Sequence, residues 1–193
     1  MKALAVYCGS ASPADPVYIE AARDVGRILA QRGITVVYGG GRLGLMGALA
    51  DSALEAGGTV IGVIPEALVG AEVAHHGCTE LRVVKNMHER KALFTDLADG
   101  FINLPGGVGT MDEMWEAISW AQLGYHSKPV GILNIAGYYD HLIAFNAHMA
   151  KVGFVRDANS GILIVDNMLD ALLEKMAGYF PHKNIFAMKA EDL

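Results

Sequence analysis

The chain has 193 residues, a formal net charge of −6, 52% hydrophobic residues and 19% charged residues. That length fits one domain at roughly 150 residues each, and the composition is apolar enough for a full core and too apolar for disorder. The acidic balance excludes a duplex nucleic-acid binder, which needs a basic face, but leaves open a small anionic ligand held in a locally positive pocket.

Short apolar runs alternate with longer helical patterns. Residues 3–8 read as a strand, and Asp15-Pro16 then opens a helix to about Gln31, with Gly33 after its end. Residues 34–38 form the second strand. A helix from Met46 to Ala56 stops at Gly57-Gly58, and residues 59–64 form the third strand. The segment 65–79 is read as irregular. Residues 81–84 form a short strand, 87–98 a helix, 101–104 a buried strand and 111–123 a helix. Strand 130–134, helix 138–151, strand 162–165 and helix 167–177 close the pattern. The strands do not alternate in polarity, which signals burial on both faces. Strand–helix alternation throughout predicts an α/β protein with a doubly wound, mostly parallel, Rossmann-like sheet. One domain is expected over residues 1–180, with residues 181–193 a C-terminal extension. In such sheets ligands bind beyond the carboxyl ends of the strands, near a topological switch point.

The start of the chain lacks the long apolar run of a signal peptide. No apolar run reaches the roughly 18 residues that span a bilayer. Cys8 and Cys78, without a CxxC, make no disulfide framework. A cytoplasmic protein is expected, with neither membrane nor nucleic acid as a partner.

Three loops carry candidate chemistry. Pro105-Gly106-Gly107-Val108-Gly109-Thr110-Met111-Asp112-Glu113 follows a buried strand and opens a helix. Its glycines allow tight turning and close approach, and the free N–H groups of a helix start favour a phosphate. Thr110-x-x-Glu113 also fits a capping box, in which Glu113 merely ties off the helix start.

Gly39-Gly40-Gly41-Arg42-Leu43-Gly44 matches GxGxxG, but after the second strand and with Arg42 inside it. Glu66 is the acidic residue at about the distance that holds a ribose in dinucleotide enzymes, so an NAD site is weakened rather than removed.

In Asn86-Met87-His88-Glu89-Arg90-Lys91, Asn86 can cap a helix with Glu89 at the box position. Arg90 and Lys91 then oppose the dipole of the first turns, and either an anionic ligand or plain solvation accounts for them. Position 92 is alanine, so HExxH and a zinc protease are excluded. The sequence contains neither GxSxG nor GxxxxGK[ST], and its histidines form no metal set.

Pro105–Thr110 with Glu113, preceded by Met87-His88-x-Arg90-Lys91, resembles the LONELY GUY (LOG) family of cytokinin riboside 5′-monophosphate phosphoribohydrolases, often labelled lysine decarboxylases. The likeness extends to Tyr7–Ser10, Gly39–Gly41, Gly44–Gly47, Glu72–His75 and Trp120–Gly124, over about residues 1–180. It implies hydrolysis of the N-glycosidic bond of a purine nucleoside 5′-monophosphate to free base and ribose 5-phosphate, without metal or organic cofactor. By position it implies Arg90 and Glu113 as catalytic residues. Gly107, Val108, Gly109 and Thr110 would be the phosphate loop, and Glu72, Lys91 and Ser119 further substrate contacts. His88 or a water would protonate the leaving base. A homodimer with sites near the subunit interface is expected. A non-enzymatic nucleotide or cofactor carrier, and a pyridoxal phosphate decarboxylase using Lys91 as its Schiff base, are the rival readings.

Overall fold

A computed structural model of the chain describes residues 1–69, 73–156, 159 and 161–181. Seven strands form one sheet: β1 (Ala3–Tyr7), β2 (Thr35–Tyr38), β3 (Val60–Pro65), β4 (Glu80–Val84), β5 (Phe101–Asn103), β6 (Val130–Leu133) and β7 (Leu163–Asp166). Their order is β4-β3-β2-β1-β5-β6-β7, and every neighbouring pair is parallel. The central register sets Ala5 between Val37 and Phe101.

The helices are α1 (Pro16–Gln31), α2 (Gly44–Glu55), the single turn α3 (Glu66–Leu68), α4 (Met87–Leu97), α5 (Val108–Leu123), α6 (Asp140–Lys151) and α7 (Leu169–Ala177). Successive residues of β1 feed opposite cores. Leu4, Val6 and Cys8 pack with α1, α2 and α7, whereas Ala5 and Tyr7 pack with Phe94 of α4 and Ala117 of α5. Met114, Ile132 and Tyr139 add a third cluster under α6. Burial on both sides is the physical reason that the inner strands β1, β2, β3, β5 and β6 carry no polar alternation.

Local chemistry sets the helix ends. The Asp15 carboxylate accepts from Val17 N–H at 3.0 Å, with Pro16 as the first helical residue, and Gly33 takes φ +67° after α1. Asn86 caps α4 by accepting from Glu89 N–H at 3.0 Å, and Glu89 reaches back to accept from Lys85 N–H at 2.9 Å. That is a capping box displaced by one residue.

Several boundaries differ from the sequence expectation: α2 starts at Gly44 rather than Met46, and α7 at Leu169 rather than 167. The segment 65–79 contains the helical turn α3. A 3₁₀ turn at Ile135–Gly137 precedes α6, which starts at Asp140 rather than 138. Helix α5 begins at Val108, three residues before Met111. The extension beyond residue 181 lies outside the described residues.

The chain runs outward from β1 through β2 and β3 to β4, then returns to β5 on the other side of β1. The switch point is therefore between β1 and β5, and the segments Cys8–Ser10 and Pro105–Gly107 meet there. Gly9 N–H donates to Pro105 C=O at 3.0 Å.

Candidate active site

A cavity of about 390 Å³ opens at this switch point. Its wall draws on every segment that leaves the middle of the sheet: Cys8–Ser10 after β1, Gly39 and Gly41 after β2, Ile64 and Leu68 around the end of β3, and Gly107–Thr110 after β5. Arg90 of α4, Glu113 of α5 and Met46 of α2 complete it, with Val73.

Helix α5 presents its N-terminus to the cavity. Gly107 is the N-cap, with no side-chain cap, and the first helical hydrogen bond runs from Met111 N–H to Gly107 C=O at 3.1 Å. The amides of Val108, Gly109 and Thr110 therefore have no acceptor within the helix and carry the positive end of its dipole. A Cβ on Gly106 would fall 2.1 Å from Thr110 Oγ1, so glycine there is a packing requirement. A Cβ on Gly107 or Gly109 would meet nothing within 4 Å, and neither residue has a positive φ. Among the described residues no contact demands glycine at these two positions, while an anion seated on the amides needs that clearance. Thr110, third in the helix and buried, is not an N-cap, so the capping-box alternative falls. Glu113 sits in the second turn and faces the cavity.

Arg90 is buried and held from three directions. Nε donates to Val63 C=O at 3.1 Å and Nη2 to Gly39 C=O at 3.1 Å, while the guanidinium lies 5.3 Å from the Phe94 ring centroid. Nη1 stands 3.5 Å from Glu113 Oε1, an ion pair too long for a strong hydrogen bond. A Cβ on Gly39 would lie 2.2 Å from Nη2. The glycine-rich run after β2 thus makes room for an arginine, not for a dinucleotide. Glu66, the sequence's candidate ribose partner, is exposed and off the cavity wall.

The two side chains of this pair are each only 10% exposed. Burial, offset in part by Arg90, pushes the Glu113 carboxyl up from 4.5 to about 7. Asp112 and Glu116 add to the rise and Lys91 opposes it. At neutral pH the group is divided between acid and base, the condition for moving protons efficiently. Burial also pushes the Cys8 thiol up, helped by Glu113, so it stays protonated and is no nucleophile.

The structure thus gathers Arg90, Glu113, Gly107, Val108, Gly109 and Thr110 around one cavity. Ser119 lies elsewhere, in a hollow of about 180 Å³ with Trp115, Asn146 and Met149 between α5 and α6. Lys91 is not on the cavity wall, being paired with Asp112 and Glu116 at 2.8 Å each. Glu72 lies outside the described residues. His88 is exposed and does not line the cavity. Sequence reasoning assigned no role to Ile64 or Leu68, which only the position of their segment at a strand end pointed to; it read Gly39 as part of a GxGxxG match, and Gly39 and Met46 as members of segments that carry the family likeness. Among the described residues no group of His, Cys, Asp and Glu side chains could hold a metal ion, and no helix is long and apolar enough to cross a membrane.

A parallel sheet, a switch-point cavity and a glycine-opened helix N-terminus beside a buried carboxylate–guanidinium pair define a Rossmann-like protein built for a small phosphorylated ligand. Comparison with known proteins narrows the class. The family described as "Possible lysine decarboxylase" matches residues 46–176. A cytokinin riboside 5′-monophosphate phosphoribohydrolase of Rhodococcoides fascians is 47% identical over 165 residues, covering 85% of this chain and 83% of the relative. The phosphoribohydrolase LOG of Oryza sativa subsp. japonica is 43% identical over 182 residues, 94% of this chain and 75% of the relative. The chain belongs to this family, the LONELY GUY family.

Among solved structures, the structural-genomics protein TM1055 superposes with a TM-score of 0.70 at 22% identity, covering 93% of this chain and 100% of that one. A molybdenum cofactor carrier protein of Chlamydomonas reinhardtii gives a TM-score of 0.67 at 20% identity, covering 91% of this chain and 97% of that one. At such identities the likeness is one of fold. The family's description would require pyridoxal phosphate, but the cavity does not fit it. Among the described residues lining it there is no lysine for a Schiff base, and Lys91 is committed to two carboxylates.

Proposed function

We propose that this chain hydrolyses the N-glycosidic bond of a purine nucleoside 5′-monophosphate, with adenine or an N6-substituted adenine as the base. The observation that carries the reading is the meeting, in one cavity, of the open α5 N-terminus with the buried Arg90–Glu113 pair. The phosphate seats on the amides of Val108, Gly109 and Thr110, which its charge complements. That leaves the ribose beside Glu113. Water attacks C1′ as the C1′–N bond breaks, and the Glu113 carboxylate stabilises the oxocarbenium-like centre and accepts the water proton. The departing base takes its proton from water, since His88 is off the cavity wall. Arg90, its guanidinium fixed by the Val63 and Gly39 carbonyls, fixes the carboxylate in turn and offers its remaining N–H groups to the substrate. The products are free base and ribose 5-phosphate.

The family relationship supports this reading over a carrier, for which tight binding without turnover is the signature. A homodimer fits the exposed Phe145 and Phe154 and the Ser119 hollow, all away from the single-chain cavity. Two free cysteines suit a cytoplasmic location. The reading is tested by incubating the protein with AMP, adenosine and isopentenyl-adenosine monophosphate, and following free base by chromatography. Release from the two monophosphates and not from adenosine is expected. Equal turnover of adenosine contradicts the assignment of the helix terminus to phosphate.

A further inference from the structure

Lys91 follows Arg90 on α4, about 100° further round the helix, and so meets another side of Glu113. Its ammonium lies 2.8 Å from Asp112 Oδ2 and 2.8 Å from Glu116 Oε2. These carboxylates stand one turn apart on α5 and bracket Glu113 in the sequence. The lysine side chain is only 14% exposed. Where it meets Tyr7, Thr95, Glu113 and Trp120 the free space is about 10 Å³, too little for any part of a nucleotide. The large cavity is walled by Arg90 and Glu113 but not by Lys91.

We propose that Lys91 is a positioning residue, a clip that ties α4 to one turn of α5 and so holds the Glu113 carboxylate against the Arg90 guanidinium, rather than a group that touches substrate. The proposal rests on the hydrolase reading for its catalytic consequence, not for its geometry. The charged and titratable groups facing Glu113 are Arg90 and Lys91 of α4, Asp112 and Glu116 of its own helix, and Tyr7 and Cys8 of the β1 segment. Asp112 and Glu116 push the Glu113 carboxyl toward its protonated form, and Lys91 opposes them. Burial works against the ammonium, yet its two partners hold Lys91 above its usual range, so the clip stays charged through neutrality. Without it, two uncompensated carboxylates would act on Glu113 and the helix turn would lose its tether.

The test compares wild type, Lys91→Met and Lys91→Met/Glu116→Gln. The double variant removes the lysine together with one of the charges it leaves unpaired, so it serves where the single variant folds poorly. The Glu113 carboxyl is titrated by carbon-13 NMR, assigned with Glu113→Gln, and AMP affinity is measured calorimetrically in the Glu113→Gln background so that the nucleotide survives. In Lys91→Met the Glu113 midpoint is expected to rise. The ionised fraction at pH 7, about half in wild type, then falls several-fold. The kcat/KM at pH 7 falls by a similar factor and recovers at high pH, and AMP affinity stays within about twofold. The double variant moves the midpoint back toward wild type. A loss of AMP affinity of about tenfold or more with an unmoved Glu113 midpoint would overturn the clip and make Lys91 a phosphate ligand. An unmoved midpoint with unmoved affinity would overturn it as well. If wild type releases no base from AMP, the hydrolase reading fails, while the NMR titration still decides the clip.

Discussion

The two glycine-rich segments of this chain look alike as sequence and do opposite work. In Gly39–Gly47 the place a Cβ would occupy is already filled by protein: Arg90 Nη2 at 2.2 Å from Gly39, Ala11 C=O at 2.3 Å from Gly44, and Arg42 C=O at 2.1 Å from Gly47. Gly44 also has φ +60°. In Gly106–Gly109 the second and third glycines face empty space at the mouth of a helix. The glycines of the first segment serve packing, whereas Gly107 and Gly109, with neither a neighbour at the Cβ position nor a positive φ, leave room for a visitor. The first segment builds the socket of the Arg90 guanidinium, and in the proposed reading the second builds the seat of the phosphate.

The comparison can be broken in several ways, beginning where the largest change is expected. Glu113→Gln should fold and lose turnover of AMP by on the order of 10²–10³, the usual cost of removing one charge-stabilising group. Rates near wild type would return Glu113 to a structural role. Gly39→Ala should displace the Arg90 guanidinium and lower kcat by about 10². Circular dichroism should stay near wild type, because the clash is with the end of a side chain.

Gly107→Ala and Gly109→Ala should act on the other side of the comparison. Their thermal stability should change by less than about 1 kcal/mol, within the range of substitutions that meet no neighbour, while KM for AMP rises about tenfold. Gly44→Ala should instead cost stability, by about 1–3 kcal/mol, from its left-handed backbone and the blocked Ala11 carbonyl. If Gly107→Ala destabilises the fold as Gly44→Ala does, the distinction between the segments fails.

The remaining effects concern pH, and on the rate they are the smallest. With Glu113 at about 7, kcat/KM for a reaction that needs the carboxylate should rise through neutrality and level off about one unit above it. Stability runs the other way. The raised carboxyl holds a proton in the folded state that the unfolded chain has lost, so its contribution is intact below about pH 4.5 and is withdrawn as pH rises through 7. Glu113→Gln, which mimics the neutral form, should gain up to about 3 kcal/mol over wild type at pH 8 and nearly nothing at pH 4, measured by denaturant unfolding. Equal shifts at both pH values would mean that burial does not raise this group.

Much of the fold was legible because doubly buried parallel strands write themselves as short apolar runs between amphipathic helices, and Pro16, Asn86 and Gly33 mark real helix ends. The start of α5 was read three residues late. Gly107 and Gly109 look like loop, and Thr110-x-x-Glu113 imitates a cap, yet a ligand-facing helix start tolerates glycine in its first turn. Spacing could list Arg90 and Glu113 but not join them, since their contact depends on how α4 and α5 pack across the end of β1. The direction of Lys91 was equally hidden, because neighbouring residues on a helix point about 100° apart. The nearest signal was the Asp112/Glu116 pair, one turn apart and flanking Glu113, which offers a lysine two partners. Ser119 shares a helix with Glu113 but points into a different hollow, and no reading of one chain's spacing separates a residue of its own site from one presented elsewhere.

The central claim is that the cavity joining the α5 N-terminus to the Arg90–Glu113 pair cuts nucleotides rather than merely holding them. A single-turnover experiment tests it most directly: excess purified protein is mixed with AMP at pH 8, and adenine and ribose 5-phosphate are quantified over time for wild type and Glu113→Gln. Equimolar release of the two products by wild type, slowed by about 10² or more in the variant, is the predicted result. AMP bound tightly and recovered intact from wild type would contradict the account and make this protein a carrier.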